Sequence, residues 1–325
     1  MGKSSLKEIA EMAGVAKSTV SRALRNHASI PEATRQRVRE IAAKLGYRPD
    51  PLIAALVNKR WAGHSNDAGT IAWVMANPGR LERGNYFMQA LLKGARKRTE
   101  TLGYGLEEFS YQGEGMSEER LSQILFSRGI RGVCVAPLPP GRAHLDLQWE
   151  YFAGATIGYS LTRPSLHRAV PHQFQGGMEA LRQLSLQGYR RIGVWITEAE
   201  NSRVNYQWMA GALLFPKLNP GVECSILEGN PEGPSSELIK WIKEHRIEVV
   251  LASNPSIKAL IRNAGLDIPS ATLLWTKNVG MPGIDQKLEE TAAAAIDLVV
   301  GQLRRNELGI PETPRFVMVE SVWRE

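Results

Sequence analysis

From Thr70 onward the chain alternates short apolar runs with amphipathic segments, and that rhythm restricts its fold more than any other feature. "TIAWVMA" reads as a buried strand, and "NYFMQALLKGARKRTETLG" as an amphipathic helix that Gly103 ends. Strand "GYGLEEFSY", helix "SEERLSQILFSRG" and strands "GVCVAPL" and "ATIGYS" come next. The pattern then restarts with helix "QGGMEALRQLSLQG", strand "RRIGVWIT", helix "RVNYQWMAGALLF" and strand "GVECSILEG". It continues with helix "SSELIKWIKEH", strand "EVVLASN", helix "SIKALIRNAG" and strand "ATLLWT". Helix "LEETAAAAIDLVVGQLRRNELG" and strand "RFVMVESVW" close it. Such alternation requires parallel sheets covered by helices on both faces. Two runs predict two α/β lobes with a cleft between them.

A chain of 325 residues holds about two domains with real cores. The N-terminus "MGKSSLKEIAEMAG" has no apolar h-region, and no stretch reaches the roughly 18 apolar residues of a membrane span. The expected location is therefore the cytoplasm. Cys134 and Cys224 lie far apart, and Cys134 sits in an apolar run, so both read as core thiols. No Cys/His cluster has metal-ligand spacing, and neither a metal nor a cofactor is expected.

Charge is unevenly placed. Residues 1–65 hold 12 Lys and Arg against 5 Asp and Glu, leaving 28 of each sign in the remainder. A basic end on a neutral body predicts a polyanion-binding module joined to something else. Within that end, Ser5 and Glu8 form a Ser-x-x-Glu capping box, which starts a helix carrying Leu6, Ile9, Ala10 and Ala13 on one face. Gly14 allows a tight turn, and Lys17 to Arg25 reads as a second helix. Val20, Ala23 and Leu24 lie on its inner side; Lys17, Ser18, Ser21, Arg22 and Arg25 fall within roughly 140° on the other. A third helix, "PEATRQRVREIAAKLGY", starts at Pro31 and stops at Gly46.

Helix, glycine turn, helix and supporting helix make a helix-turn-helix unit. The outer face of its second helix suits the major groove of double-stranded DNA. Ser5, Ser21, Arg25, Thr34 and Arg35, with Arg37 and Arg39 beside them, are candidate contacts to the DNA backbone.

"LKEIAEMAGVAKSTVSRALRN", followed by "TRQRVREIAAKLGYRPD", closely resembles the DNA-binding head of the lactose-repressor family (LacI/GalR). That resemblance implies that Lys17, Ser18 and Arg22 read bases. It departs at Ala16, where the family often has Ser, so one helix cap is missing, at around 1 kcal/mol.

The resemblance also bears on "YRPDPLIAALVNKRW", where Asp50 and Pro51 begin an apolar helix of about two turns, too short to stand alone in water. In the family this is a hinge helix that folds on DNA. Two copies, one per subunit of a homodimer, pack over the minor groove, and each pushes a leucine between base pairs. Leu56 is the matching position, and Ile53 and Val57 share its face. Asp50 and the Ile53-Ala54 pair depart from the family pattern. The alternative is a plain apolar linker helix packed on the core.

The body resembles the periplasmic-binding-protein-like effector domain of the same family, most clearly at "LSLQGYRRIGVWI" and "IDQKLEETAAAAIDLVVGQL". The implied fold class is an all-α helix-turn-helix head (1–48), a hinge helix and linker (49–66) and a two-lobed α/β body (67–325) that dimerises and binds an effector. In the family a small molecule binds in the cleft, at carboxyl ends of strands. Sugar-binding positions are altered: Trp208 stands where an Arg is common, Asn254-Pro255 replaces Asn-Asp, and Trp275-Thr276-Lys277-Asn278 replaces Gly-Phe-Asp-Asp. Trp208, Asn254, Trp275 and Asn278 are the candidate effector residues. The two tryptophans stack on a ring, aromatic or sugar-like, or else fill a cleft that binds nothing.

The expected function is a dimeric, sequence-specific transcription regulator, most simply a repressor, working at the nucleoid. The runner-up has the same head but a body controlled by a protein partner or not at all. An enzyme is not expected: no phosphate-binding glycine motif, nucleophile elbow or metal cluster is present, and the six histidines are scattered.

Overall fold

The computed structural model describes residues 6–24, 30–45, 69–76, 86–111, 116–139, 141, 143–229 and 235–325. Three helices form the head: α1 (Leu6–Ala13), α2 (Lys17–Leu24) and α3 (Glu32–Lys44). Their shared core holds Ile9, Ala10, Ala13, Val20, Ala23, Ile30, Val38 and Ala42. Gly14 takes a left-handed φ of 62°, and the Val15 amide bonds back to the Ala10 carbonyl at 3.1 Å, closing α1 sharply enough for α2 to pack beside it. Burying one large aliphatic chain such as Ile9 contributes about 1.5–3 kcal/mol, so this small core rests on few residues.

The body folds as two lobes. The first contains β1 (Thr70–Met75), α4 (Tyr86–Leu102), β2 (Gly105–Ser110), α5 (Glu118–Ser127), β3 (Gly132–Val135), β4 (Ala153–Ile157) and β5 (His167–Pro171). The second contains α6 (Gln173–Leu186), β6 (Arg191–Ile196), α7 (Glu198–Arg203), α8 (Gln207–Leu218), β7 (Glu223–Glu228), α9 (Ser235–Glu244), β8 (Val249–Ala252), α10 (Ile257–Asn263), β9 (Ser270–Thr272) and β10 (Gly283–Asp285). Helix α11 (Leu288–Arg305) and β11 (Phe316–Val319) return to the first lobe, and β12 (Val322–Arg324) to the second.

Each lobe is built on a six-stranded sheet, in the orders β11-β5-β4-β3-β1-β2 and β12-β10-β9-β8-β6-β7. The first is parallel throughout; in the second only β12 runs antiparallel, against β10. Central strands such as β3 and β8 are buried along their whole length, which is why they read as unbroken apolar runs. On one face of the first sheet α4 and α11 pack closely: a Cβ at Gly94 would lie 2.1 Å from the Glu289 carbonyl oxygen, so only glycine fits there.

Three departures from the sequence expectation matter for the cleft. "RFVMVESVW" is not one strand, because β11 joins the first sheet and β12 the second, with the chain crossing at Glu320–Ser321. β5, unrecognised because His167, Arg168 and Pro171 do not look like strand residues, is buried along its length. Its Arg168 guanidinium donates to the Gly158 and Leu161 carbonyls at 3.1 and 2.9 Å and lies over the Phe316 ring. Finally, "RVNYQWMAGALLF" is not one helix. Asn205 and Tyr206 both take left-handed φ values (54° and 58°), separating α7 from α8. Such conformations cost non-glycine residues about 1–3 kcal/mol each and concentrate at functional sites.

The chain crosses between lobes at Pro171–Gln173, Asp285–Leu288 and Val319–Val322. The crossings are tied together. The His172 amide donates to the Val319 carbonyl at 2.8 Å, and Gln173 Nε2 donates to Gln286 Oε1 at 3.2 Å, both glutamines being buried.

Candidate functional site

In the head, α2 presents Lys17, Ser18 and Arg22 to solvent while Val20 and Ala23 are fully buried on its other side. The first turn of α2 has no acidic side chain, so nothing on it repels a phosphate. Ala16 offers no side-chain cap; its carbonyl accepts from the Thr19 and Val20 amides at 2.8 and 3.1 Å. Ser21 and Thr34 are half-buried, and the Thr34 amide donates to the Pro31 carbonyl at 3.0 Å. Arg35 is also half-buried and ion-paired to Glu32, which Arg39 approaches at 3.9 Å. Of the remaining DNA candidates, Ser5, Arg25 and the hinge residues Ile53, Leu56 and Val57 lie outside the described residues.

Between the lobes lies a cavity of about 390 Å³. Phe87 and Leu91 of α4 and Ile157 at the end of β4 form its first-lobe wall. Val204, Trp208 and Leu274 form the opposite wall. Polar side chains from both lobes also line it. Glu200 enters from α7, whose start Thr197 caps: Thr197 Oγ1 accepts from the Glu200 amide at 3.2 Å and donates to Glu200 Oε2 at 2.9 Å. The Ser253 hydroxyl also donates to Glu200 Oε2, and Asn254 Nδ2 donates to Oε1 at 3.0 Å. Arg203, in the last turn of α7, supplies the positive charge.

The four candidate effector residues do not converge on this cavity. Trp208 lines it, though only 4% exposed and packed into the second lobe's core. Asn254 stands behind it, orienting Glu200 and accepting from the Ser256 amide at 2.9 Å. Trp275 lines an adjoining cavity of about 880 Å³ together with Lys277, Asp285 and Arg324. Its ring carries the Arg324 guanidinium at 5.8 Å. Asn278 is exposed and lines neither cavity. Reading residues by analogy missed Glu200, Arg203 and Tyr159. The Thr197-x-x-Glu200 spacing directly after strand "RRIGVWI" was the available signal for the first two.

Both cysteines are poor nucleophiles here: burial pushes the Cys134 and Cys224 thiols up to about 12. Among the described residues no group of His, Cys, Asp and Glu could hold a metal ion, and no helix is long and apolar enough to cross a membrane.

Comparison with known proteins agrees with this geometry. The family model "Bacterial regulatory proteins, lacI family" matches residues 5–50. The chain is 25% identical to the HTH-type transcriptional regulator DegA of Bacillus subtilis, over 62% of this chain and 59% of DegA. It is also 25% identical to the HTH-type transcriptional regulator PtxS of Pseudomonas putida, over 92% of this chain and 89% of PtxS. Among solved structures, the lac repressor dimer bound to operator and the anti-inducer ONPF shares the fold with a TM-score of 0.55 at 14% identity, over 100% of this chain and 98% of that one.

Proposed function

Because the chain belongs to the lacI family of bacterial DNA-binding transcription regulators, we propose that it is a homodimeric, cytoplasmic repressor of a two-fold symmetric operator, controlled by a small molecule in the inter-lobe cleft. The observation that carries this reading is the α2 surface: three polar, DNA-competent side chains point outward from a helix whose other face is committed to a core. Residues 1–48 act as the reading head, 49–66 as hinge and linker, and 67–325 as the effector-binding and dimerising body. Lys17, Ser18 and Arg22 read base edges in the major groove, and phosphates are held by Ser5, Ser21, Arg25, Thr34 and Arg35. Ile53, Leu56 and Val57 of two hinge helices meet over the minor groove at a kinked central step.

The cleft supports effector control. Its walls come from both lobes, so an occupant contacts both and biases their relative position by its differential affinity for the two arrangements. A second reading, a body set by a protein partner or by nothing, draws on Trp208, which fills much of the second-lobe wall as a core residue would.

Selection from random duplexes tests the DNA assignment. Enriched sites with two-fold symmetry and a pyrimidine–purine centre are expected, since a two-fold dimer presents equivalent heads to equivalent half-sites. Enrichment of asymmetric sites alone would overturn it.

A further inference from the structure

We infer that an exposed apolar patch on the first lobe, formed by Phe126, Tyr151 and Ile310, seats the apolar side of the segment Leu52–Val57 when no DNA is bound. This rests on that segment being the hinge of the proposed function, and gives its apolar side a second place to go.

Three separate parts of the chain build the patch. Phe126, in the last turn of α5, and Ile310, beyond α11, are each 54% exposed, and Tyr151, just before β4, is 38% exposed. The Phe126 and Tyr151 rings lie 4.8 Å apart. The Gly309 amide donates to the Phe152 carbonyl at 2.9 Å, which sets Ile310 beside Tyr151. Large apolar side chains scattered singly on a surface need no partner, whereas two aromatics in contact with an isoleucine beside them mark an interaction site. The chain neighbours of the patch carry both signs of charge: Arg128 is ion-paired to Glu107, and Arg131 and Glu150 are exposed. A polyanion therefore gains little there, and an apolar occupant fits better.

The register of the sheet puts the patch at the end of the lobe where the chain arrives. Ile71 of β1 pairs with Gly132 of β3, and Gly132 with Ala153 of β4. Neighbouring strands lie about 4.8 Å apart, so the step from Phe152 to Ala153 is roughly 10 Å from the start of β1. The described chain resumes at Gly69, one residue before β1. Val57 precedes Gly69 by twelve residues, a span of at most about 40 Å. A tether of that length holds its end at an effective concentration on the order of millimolar, so even a weak contact is well populated.

Leu52, Ile53, Leu56 and Val57 share one face by helical spacing, and about two turns of helix do not persist in water without a surface to cover them. In the operator complex the second hinge and the base step supply that surface. Without DNA the patch is an apolar surface within reach. The same side chains cannot face both, so docking competes with operator binding and lowers the apparent affinity by the fraction of undocked chains.

The test is hydrogen exchange on the full chain, free and with a duplex enriched by the selection described above, for wild type and the double variant Phe126→Ser, Ile310→Ser. Both side chains are half exposed, so the fold should survive, and unchanged exchange in β3 and β4 verifies it. In DNA-free wild type the amides of residues 52–57 should exchange about tenfold or more slowly than an unstructured chain, and the variant should lose that protection. The variant should also bind the duplex about three- to tenfold more tightly, because the competing contact is gone. Unprotected amides at 52–57 in DNA-free wild type overturn the docking and leave the hinge reading intact. Equal protection in wild type and variant overturns the patch as the seat, as does weaker duplex binding by the variant. Protection at 124–128 and 150–152 that rises with protein concentration hands the patch to a second copy of the chain and overturns the inference. Protection at the patch that is unchanged by the duplex means the segment never leaves it, which removes the hinge reading and the competition together.

Discussion

The Tyr159 hydroxyl, on the loop after β4 of the first lobe, accepts a 2.7 Å hydrogen bond from Nε2 of Gln207, the first residue of α8 in the second. The other polar atom of the same amide is held too, since Gln207 Oε1 accepts from the Phe174 amide at 3.2 Å. The Tyr159 ring is held in turn by Arg168, 5.8 Å from its centroid. The Gln207 carboxamide thus ties Tyr159 of the first lobe to the start of α6 in the second.

Removing that tie should loosen the lobes without unfolding them. Tyr159→Phe keeps the ring and its contact with Arg168 but deletes the acceptor, and about 0.5–1.5 kcal/mol of stability should go with it. Hydrogen exchange should quicken at residues 158–161 and 207–210 and hold steady in the sheets. Unchanged exchange at both segments would show that the bond does not restrain the lobes.

At the DNA end, Arg22→Ala should relax base preference at one position of each half-site by about 1–3 kcal/mol. Arg35→Ala should instead weaken binding evenly across sequences and lower the salt slope by about one unit, less if its ion pair with Glu32 persists on DNA. Competition binding on a set of single-base operator variants, at two salt concentrations, separates these outcomes.

Leu56→Ala tests the hinge. A wedge acts only in the kinked, specific complex, so specific affinity should fall by about 1–3 kcal/mol while non-specific affinity barely changes. An equal loss on both kinds of DNA would remove the hinge assignment and favour a linker packed on the body.

Stability should fall on acidification in part through Glu248. The amides of Arg190 and Arg191 donate to its carboxylate at 2.7 and 3.0 Å and hold its pKa below the ordinary 4.5. The folded state therefore binds this proton less readily than the unfolded state. The resulting stabilisation is complete above about pH 4.5 and is lost as pH falls through the lower folded value. Glu248→Gln should flatten the dependence of the melting midpoint on pH between 6 and 3. Glu179, held low by its hydrogen bond from Arg182, shifts the same way, so some dependence should remain.

The separation of head from body, the two-lobe alternation and the two sides of α2 were all legible in the chain. These are local properties. An α-helix repeats every 3.6 residues wherever it packs, so Val20 and Ala23 inside oblige Lys17, Ser18 and Arg22 to face out. A parallel strand buried on both faces is apolar throughout, which makes β3 and β8 readable without knowing their neighbours. The candidate effector residues were less legible. The family resemblance placed Trp208 and Asn278 in one cleft, yet Trp208 lines the cavity and Asn278 lies exposed outside it.

What only the tertiary structure decided depends on partners distant in sequence. Arg168 can lie inside a sheet because the Gly158 and Leu161 carbonyls and the Phe316 ring surround its guanidinium, and Phe316 comes from the far end of the chain. "RFVMVESVW" divides between two sheets because β5 and β10, in different lobes, each offer it an open edge. Helical propensity alone would have continued the segment from Arg203 through Trp208 as one helix. The fold instead holds Asn205 and Tyr206 in a left-handed turn, which Asn tolerates and Tyr does not favour, and the packing of α7 and α8 around the cleft sustains it.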